Sequence, residues 1–303
     1  MTKWRPSGNG EKFLPENDST GSVMRASLIL CSKNGGARLK NCLSAINAMD
    51  IPPELDLVLV DNGSTDGVSP GIMQQFVAQA RISCRILEVT EPGNSAGRNA
   101  GIAAAQGDLL LFIDDDCYVH PDFAREWLAV FSAEKIGFGS GMILKYAPEN
   151  SDLGCNESPL VQRIAPRAFV ERGFIQGSNM AFRRDCLQQA GSFDPRFGAG
   201  TLFAGEEWDV VLRASAAGWA GGYFPGPKVK HDHNRKDDGA RDRLLFYDFG
   251  AGAVYAKHMK GAAFLRNLGH FLRDAFRLRR DGRRLRSLFK GYAAFRHLPE
   301  SAG

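Results

Sequence analysis

Three consecutive carboxylates, Asp114, Asp115 and Asp116, close the run LLLFIDDD at residues 109–116. Such a run is tolerated as a solvated loop or helix cap, with Pro121 and Asp122 opening the next helical turn, or where a divalent cation offsets the repulsion. Oxygen ligands suit Mg²⁺ or Mn²⁺, ions that also bind nucleoside phosphates. If LLLFI is a strand, Asp114 and Asp116 share one side and Asp115 faces the other. A second acidic group, Glu206, Glu207 and Asp209, opens GEEWDVVLR at 205–213. Carboxylates in a first helical turn are favourable against the helix dipole, and one poised beside a hydroxyl can act as a general base. Trp208 between them offers either a sugar-stacking face or core packing.

Further polar clusters follow short apolar runs. Ser32, Lys33 and Asn34 come after ASLILC, and Asp61, Asn62 and Ser64 after DLVLV, as ordinary turns or as two walls of one ligand crevice. Asp61 can accept hydrogen bonds from a base N–H or a ribose hydroxyl. GNSAGRNAG at 93–101 has small residues where a backbone can approach a ligand, Arg98 to neutralise phosphate and Asn99 to cap a helix. Its glycine and lysine spacings match neither a dinucleotide fingerprint nor a P-loop. Gly177, Ser178 and Asn179 precede another apolar run. His231 and His233 alternate in HDH, so both can face one side, as metal ligands or diphosphate contacts.

The elements that must position these groups alternate in type. ASLILC, DLVLV, RILEVTE and LLLFI read as strands. RLKNCLSAINAM, a segment containing FVAQARI, and NAGIAAAQG ended by Gly107 read as helices. Strand–helix alternation predicts an α/β fold with a mostly parallel central sheet flanked by helices, its polar strand ends gathered in one crevice. GSGMILKY, GFIQGSNMAFRR and GGYFPGPKVKHDH supply later extended segments, and GEEWDVVLRASAAGW a helix ending near Gly218. We divide the chain into a flexible lead-in at 1–23, a catalytic domain at 24–238 and a basic helical C-terminal region at 239–303.

A 44% hydrophobic content is enough for a sizeable core and argues against disorder. No apolar run approaches the roughly 20 residues that cross a bilayer, and the polar N-terminus lacks a signal-peptide centre, so a cytoplasmic location is expected. The six cysteines are scattered without metal spacing, which predicts reduced thiols. Charge is uneven: Ala256–Leu298 holds 12 Lys or Arg against Asp274 and Asp281, or +10, which leaves −6 for the rest of a chain of net charge +4. Phe264, Leu265, Leu268, Phe271, Leu272, Phe276 and Leu278 recur there as an amphipathic helix whose arginines either meet anionic lipid or are solvated on docked helices. No recognition motif or aromatic platform favours specific nucleic-acid binding.

ASLILCSKNGG, VLVDNGSTD, GNSAGRNAGIAAAQGDLLLFIDDD, GSNMAFRR and GEEWDVVLR, in this order over residues 26–233, resemble glycosyltransferase family 2, enzymes of GT-A fold that use nucleotide sugars. The resemblance implies an inverting transfer from a nucleoside diphosphate sugar, with Mg²⁺ or Mn²⁺; the acceptor is expected to be a saccharide or, given the basic C-terminal region, a lipid-linked saccharide, in polysaccharide biosynthesis. It implies nucleotide contacts from Ser32, Asn34, Asp61, Asn62, Arg98, Asp114 and Asp115. It further implies metal ligation by Asp116, Asp114 and His231, and catalysis by Glu207 with Glu206 as its neighbour. Trp208, Asp209, Ser178, Asn179 and His233 fall where acceptor contact or structural support is expected. Asn62 stands where the family usually has a second aspartate, and Glu207 where it usually has Asp. The competing readings are a metal-dependent nucleotidyltransferase and a nucleotide-sugar or polysaccharide binding protein that has lost catalysis. Peripheral contact with the inner face of an anionic membrane is a further expectation from the basic region.

Overall fold

The computed structural model describes residues 24–234 and 237–298, so the expected lead-in at 1–23 lies outside the described residues. The first half alternates strictly: β1 (Ala26–Ser32), α1 (Gly36–Ala48), β2 (Leu55–Asp61), α2 (Ser69–Gln79), β3 (Ser83–Glu88), α3 (Asn94–Ala104) and β4 (Leu109–Asp114). Then come β5 (Cys117–Val119), α4 (Phe123–Ala133), β6 (Phe138–Lys145), β7 (Gln162–Ile164), β8 (Met180–Arg183), α5 (Arg184–Ala190), α6 (Glu206–Ala216) and β9 (Gly221–His231). Three helices follow: α7 (Asp237–His258), α8 (Phe264–Leu278) and α9 (Gly282–Arg296).

The described strands form one sheet in the order β3-β2-β1-β4-β8-β6-β9-β5, with β7 paired to β9. The block β3-β2-β1-β4 is parallel, as the alternation predicts. Beyond β4 the sheet is mixed: β8 runs antiparallel to both β4 and β6, and β9 parallel to β6. Chain order reverses between β1 and β4, and ligands in open α/β sheets bind outside the carboxyl ends of strands at such a switch. Register brings those ends level, with Ser32 opposite Asp61 and Cys31 opposite Asp114.

Both faces are covered, which explains why LLLFI is continuously apolar rather than alternating. On one face Leu28, Leu30, Leu109, Leu111 and Ile113 pack with α1, α2 and α4. On the other, Ile29, Val60, Leu110 and Phe112 belong to a core that takes in α3, α5, α6 and the C-terminal helices through Val254, Tyr255, Phe271 and Leu288. The basic region therefore docks on the catalytic sheet. Its contact is close because α7 and α9 meet at glycines: a Cβ on Gly252 would lie 2.0 Å from the Leu288 carbonyl oxygen, and one on Gly291 1.8 Å from that of Phe249. Buried Asp248 of α7 accepts hydrogen bonds from Arg284 of α9 and from Arg172 in the loop before β8.

Several boundaries differ from the sequence reading. Arg81 and Ile82 lie beyond α2, in the link to β3, and α3 ends at Ala104, short of Gly107. Asn99 is not a cap: α3 begins five residues earlier at Asn94, and the Asn99 amide instead ties the helix to the backbone of Phe193. The short strands β5 and β7 carry no pattern of their own and exist through pairing with β9.

Candidate active site

The carboxyl ends of β1 and β4 open into a cleft of about 740 Å³. Its walls include Ser32, Asn34, Asn62, Arg98, Asp114, Asp115, Asp116, Ser178, Glu206, Glu207 and His231, so motifs separated by up to 199 residues meet in one place. The N-terminal half of α7 closes one side with Arg243, Leu244, Phe246 and Tyr247.

Arg98 is the centre of the charge network. It is 2% exposed, donates to Glu206 Oε1 at 2.9 Å and to Asp114 Oδ1 at 3.1 Å, and lies over the Phe193 ring. Burial works against its charge, but Glu206 and Asp114 outweigh that and hold its pKa above the usual arginine value. Arg98 thus joins the acidic strand end to the acidic helix start, Glu206 lying 108 residues from it in the chain. Gly177 leaves room for it, since a Cβ there would lie 2.5 Å from an Arg98 nitrogen.

The three aspartates have three different partners. Asp114 faces Arg98; burial raises its pKa against the opposing effect of that guanidinium. Asp115 accepts a hydrogen bond from the Ser32 hydroxyl, and burial, only partly offset by that bond, pushes its pKa up to about 6. Asp116 lies 3.4 Å from His231 Nε2 and 3.8 Å from Arg38. Asp116, Cys117 and His231 form a buried group whose donor atoms all lie within 4.8 Å of one another. Burial keeps the Cys117 thiol far above its usual pKa and hence protonated, so the carboxylate and imidazole are the effective donors. An oxygen and a nitrogen donor beside the cleft fit Mg²⁺ or Mn²⁺. Asp114, also read from sequence as a metal ligand, is engaged by Arg98 while feeling the charges of Asp116 and His231.

The acidic helix start is equally differentiated. Glu206 is committed to Arg98 and to the backbone N–H of Gly205. Glu207 lines the cleft, and its pKa is raised well above the usual glutamate range, first by burial and then by the charge of Glu206 and a hydrogen bond with it. Trp208 is 3% exposed, donates to the Val170 carbonyl at 2.8 Å and packs edge-on against Phe169 and Tyr255, so its ring is held in the core although the residue borders the cleft. Asp209 is fully buried; burial alone would raise its pKa, but His258, Arg213 and Lys257 together hold it well below the carboxylate range. It supports the site by pinning α6 to the end of α7.

Other residues read from the sequence have structural partners. Asp61 is buried and accepts from the Ser64 N–H, closing its own turn, while the Asn62 amide donates to the Glu91 carbonyl. Asn34 adopts φ 57° and uses its side-chain oxygen to hold the Thr65 and Asp66 N–H groups, so the β1 and β2 turns are stitched together. Asn179 is fully buried, bonded to Met142, Pro227 and Trp127, where the β6–β9 register shifts. His233 is buried against the Ser151 carbonyl and stands edge-on to His231.

Three comparisons with known proteins bear on the family and the fold. The description "Glycosyl transferase family 2" matches residues 27–191. The chain belongs to glycosyl transferase family 2. Among curated relatives, glycosyltransferase AglE of Haloferax volcanii is 23% identical over 202 residues, covering 66% of this chain and 64% of that protein. EpsH of Bacillus subtilis, described as a putative glycosyltransferase, is 28% identical over 171 residues, covering 54% and 48%. The chain thus spans about half to two-thirds of the length of these relatives. Among solved structures, mannosyltransferase PcManGT of Pyrobaculum calidifontis superposes with a TM-score of 0.64 at 17% identity, covering 90% of this chain and 75% of that one. S. aureus TarS 1-349 gives 0.64 at 15% identity, covering 90% and 80%. These likenesses establish the GT-A-like fold.

Within the family 2 site, sequence reading missed Arg172, Gln176, Arg243, Phe246 and Tyr247. The first two sit in an irregular loop. The others precede the small-residue run GAGA of α7, whose helix has no clear apolar stripe in sequence because it is covered on several sides.

Proposed function

We propose that this family 2 glycosyltransferase catalyses inverting transfer from a nucleoside diphosphate sugar to a hydroxyl of a saccharide or lipid-linked saccharide acceptor. The observation that carries this reading is Glu207: it faces the cleft shared with Asp114–Asp116, while its neighbour Glu206 is taken by Arg98. The donor class is supported by the fold neighbours, PcManGT being in complex with GDP-Man and Mn²⁺ and TarS with UDP-GlcNAc.

In this reading the strand-end turns after β1 and β2 hold the nucleotide, and Asp116 with His231 would hold the metal. A bound divalent ion would supply positive charge that offsets the negative charge of the departing diphosphate. Glu207 accepts the proton of the acceptor hydroxyl as that oxygen attacks the anomeric carbon. Burial and the neighbouring Glu206 raise its pKa, which makes it a stronger proton acceptor when ionised. Arg98 engages Glu206 and holds it in place, so that Glu207 is the carboxyl left facing the acceptor. The displacement is single, with the sugar bond to diphosphate breaking as the bond to the acceptor forms. The reaction belongs, on this proposal, at the cytoplasmic side; no helix among the described residues is long and apolar enough to cross a membrane.

A panel of nucleotide sugars, assayed for released nucleoside diphosphate with and without Mn²⁺, Mg²⁺ and acceptors, tests the reading. Glu207→Gln should retain donor binding and lose about 10²- to 10⁴-fold in transfer. Asp116→Ala should lose the metal dependence of nucleoside diphosphate binding. Near-normal transfer by the Glu207 variant would move the base elsewhere. A nucleotidylated product, or donor binding without turnover, would replace the transferase reading.

A further inference from the structure

The C-terminal helices present a surface that the catalytic reading does not use. Of the ten exposed large apolar side chains among the described residues, five lie between positions 264 and 289: Phe264, Leu265, Leu272, Phe276 and Phe289. Leu265, Leu272 and Phe276 are spaced i, i+7 and i+11, so they form one stripe along α8, 78%, 55% and 62% exposed. The opposite side of that helix is satisfied, with Phe271 buried against Tyr255 and Tyr292. The stripe is therefore an unpartnered face of a docked helix.

The charge beside this stripe says what covers it. At its end the Arg279 guanidinium sits 3.6 Å over the Phe276 ring. Just beyond, Arg241, Arg280, Arg283 and Arg286 surround a cavity of about 470 Å³ at the α8–α9 turn. None of these four arginines forms an ion pair among the described residues, and the acidic group there, Asp281, is occupied in capping α9. Arg283, Arg286 and Lys290, at i, i+3 and i+7, extend the exposed basic face along α9. A second copy of this chain on the same stripe would bring two +10 segments together, a repulsive arrangement. An anionic bilayer supplies both complements at once, acyl chains for the stripe and phosphate headgroups for the arginines.

We propose that the α8 stripe and the arginine cluster of the α8–α9 turn form a peripheral docking face for anionic membranes. Arg241 of this cluster lies two residues before Arg243, which lines the catalytic cleft, so α7 connects the docking face to the mouth of the active site. Docking would hold the cleft beside acceptors carried in the bilayer; that consequence, unlike the docking itself, rests on the transferase reading above.

Flotation of the full chain with phosphatidylcholine vesicles, with or without about 30 mol% phosphatidylglycerol, at low and high salt, tests this face. Binding should require the anionic lipid and weaken with salt. Leu272→Glu/Phe276→Glu and, separately, Arg283→Gln/Arg286→Gln should each lower partitioning by about tenfold or more. Circular dichroism and release of nucleoside diphosphate from a soluble donor should remain unchanged in both, since these side chains are exposed and none is among the residues that line the cleft. Failure of the folded wild type to bind anionic vesicles at low salt would overturn the proposal, as would undiminished binding by both variants. A dimer in light scattering that is lost in Leu272→Glu/Phe276→Glu, without vesicle binding, would reassign the face to self-association.

Discussion

Replacing Arg98 with Met keeps an unbranched apolar stem and removes the charge. The guanidinium is 2% exposed and bonded at 2.9 and 3.1 Å to Glu206 and Asp114. Without it Glu206, itself 7% exposed, faces Glu207 and the aspartate run with no counter-charge. Leaving one partner of a buried ion pair alone costs about 3–5 kcal/mol. At roughly 2–4 °C per kcal/mol for a chain approaching this size, the melting temperature should fall by about 6–20 °C. The physical cause is the orphaned carboxylates rather than lost packing, so Arg98→Met/Glu206→Gln should be more stable than Arg98→Met alone. Thermal and urea unfolding of the four members of this cycle would measure the coupling, expected at roughly 1–3 kcal/mol. A single variant within about 0.5 kcal/mol of wild type, or strictly additive effects, would refute the assignment of Arg98 as the counter-charge joining the two motifs.

Three further outcomes follow from the same geometry. Glu206→Gln removes the neighbouring charge that helps raise the Glu207 pKa, so the acidic limb of the transfer rate should move to lower pH; an unmoved limb would mean burial alone sets it. Trp208→Phe leaves the Val170 carbonyl without its donor and should destabilise by about 1–3 kcal/mol, while KM values for donor and acceptor stay unchanged; a raised acceptor KM would restore the sugar-stacking role. Asp194 is held down at about pKa 2: burial opposes this, but Arg196 and Lys257 outweigh it. A depressed folded pKa stabilises above the unfolded value near 4 and is lost as pH falls toward 2, so Asp194→Asn should flatten the acid side of the stability profile. An identical acid slope in that variant would disprove the linkage.

The amino-acid sequence alone determined the first four strands and three helices, because each carries its own apolar run or helical spacing and is bounded by polar turns. It also placed the chemistry at the carboxyl edge of the sheet, since Ser32, Asp61 and Asp114 each end an apolar strand. What each charged group does was decided only by tertiary structure. Arg98 read as a phosphate contact, and its ion-pair bridge to Glu206 could not be read because that partner lies 108 residues away and no local pattern reports it. Asp114, Asp115 and Asp116 are adjacent in the chain yet face Arg98, Ser32 and His231, three elements that the sheet order alone brings near. Trp208 and Asp209 sit among candidate catalytic residues but are buried, Trp208 bonded to the Val170 carbonyl and Asp209 to the end of α7. The short strands β5 and β7 depend on pairing with β9, and α7 on burial by several neighbours, so neither has a local signature. Local propensity acts over a few residues, whereas charge partnership and burial depend on which distant segments the fold packs together.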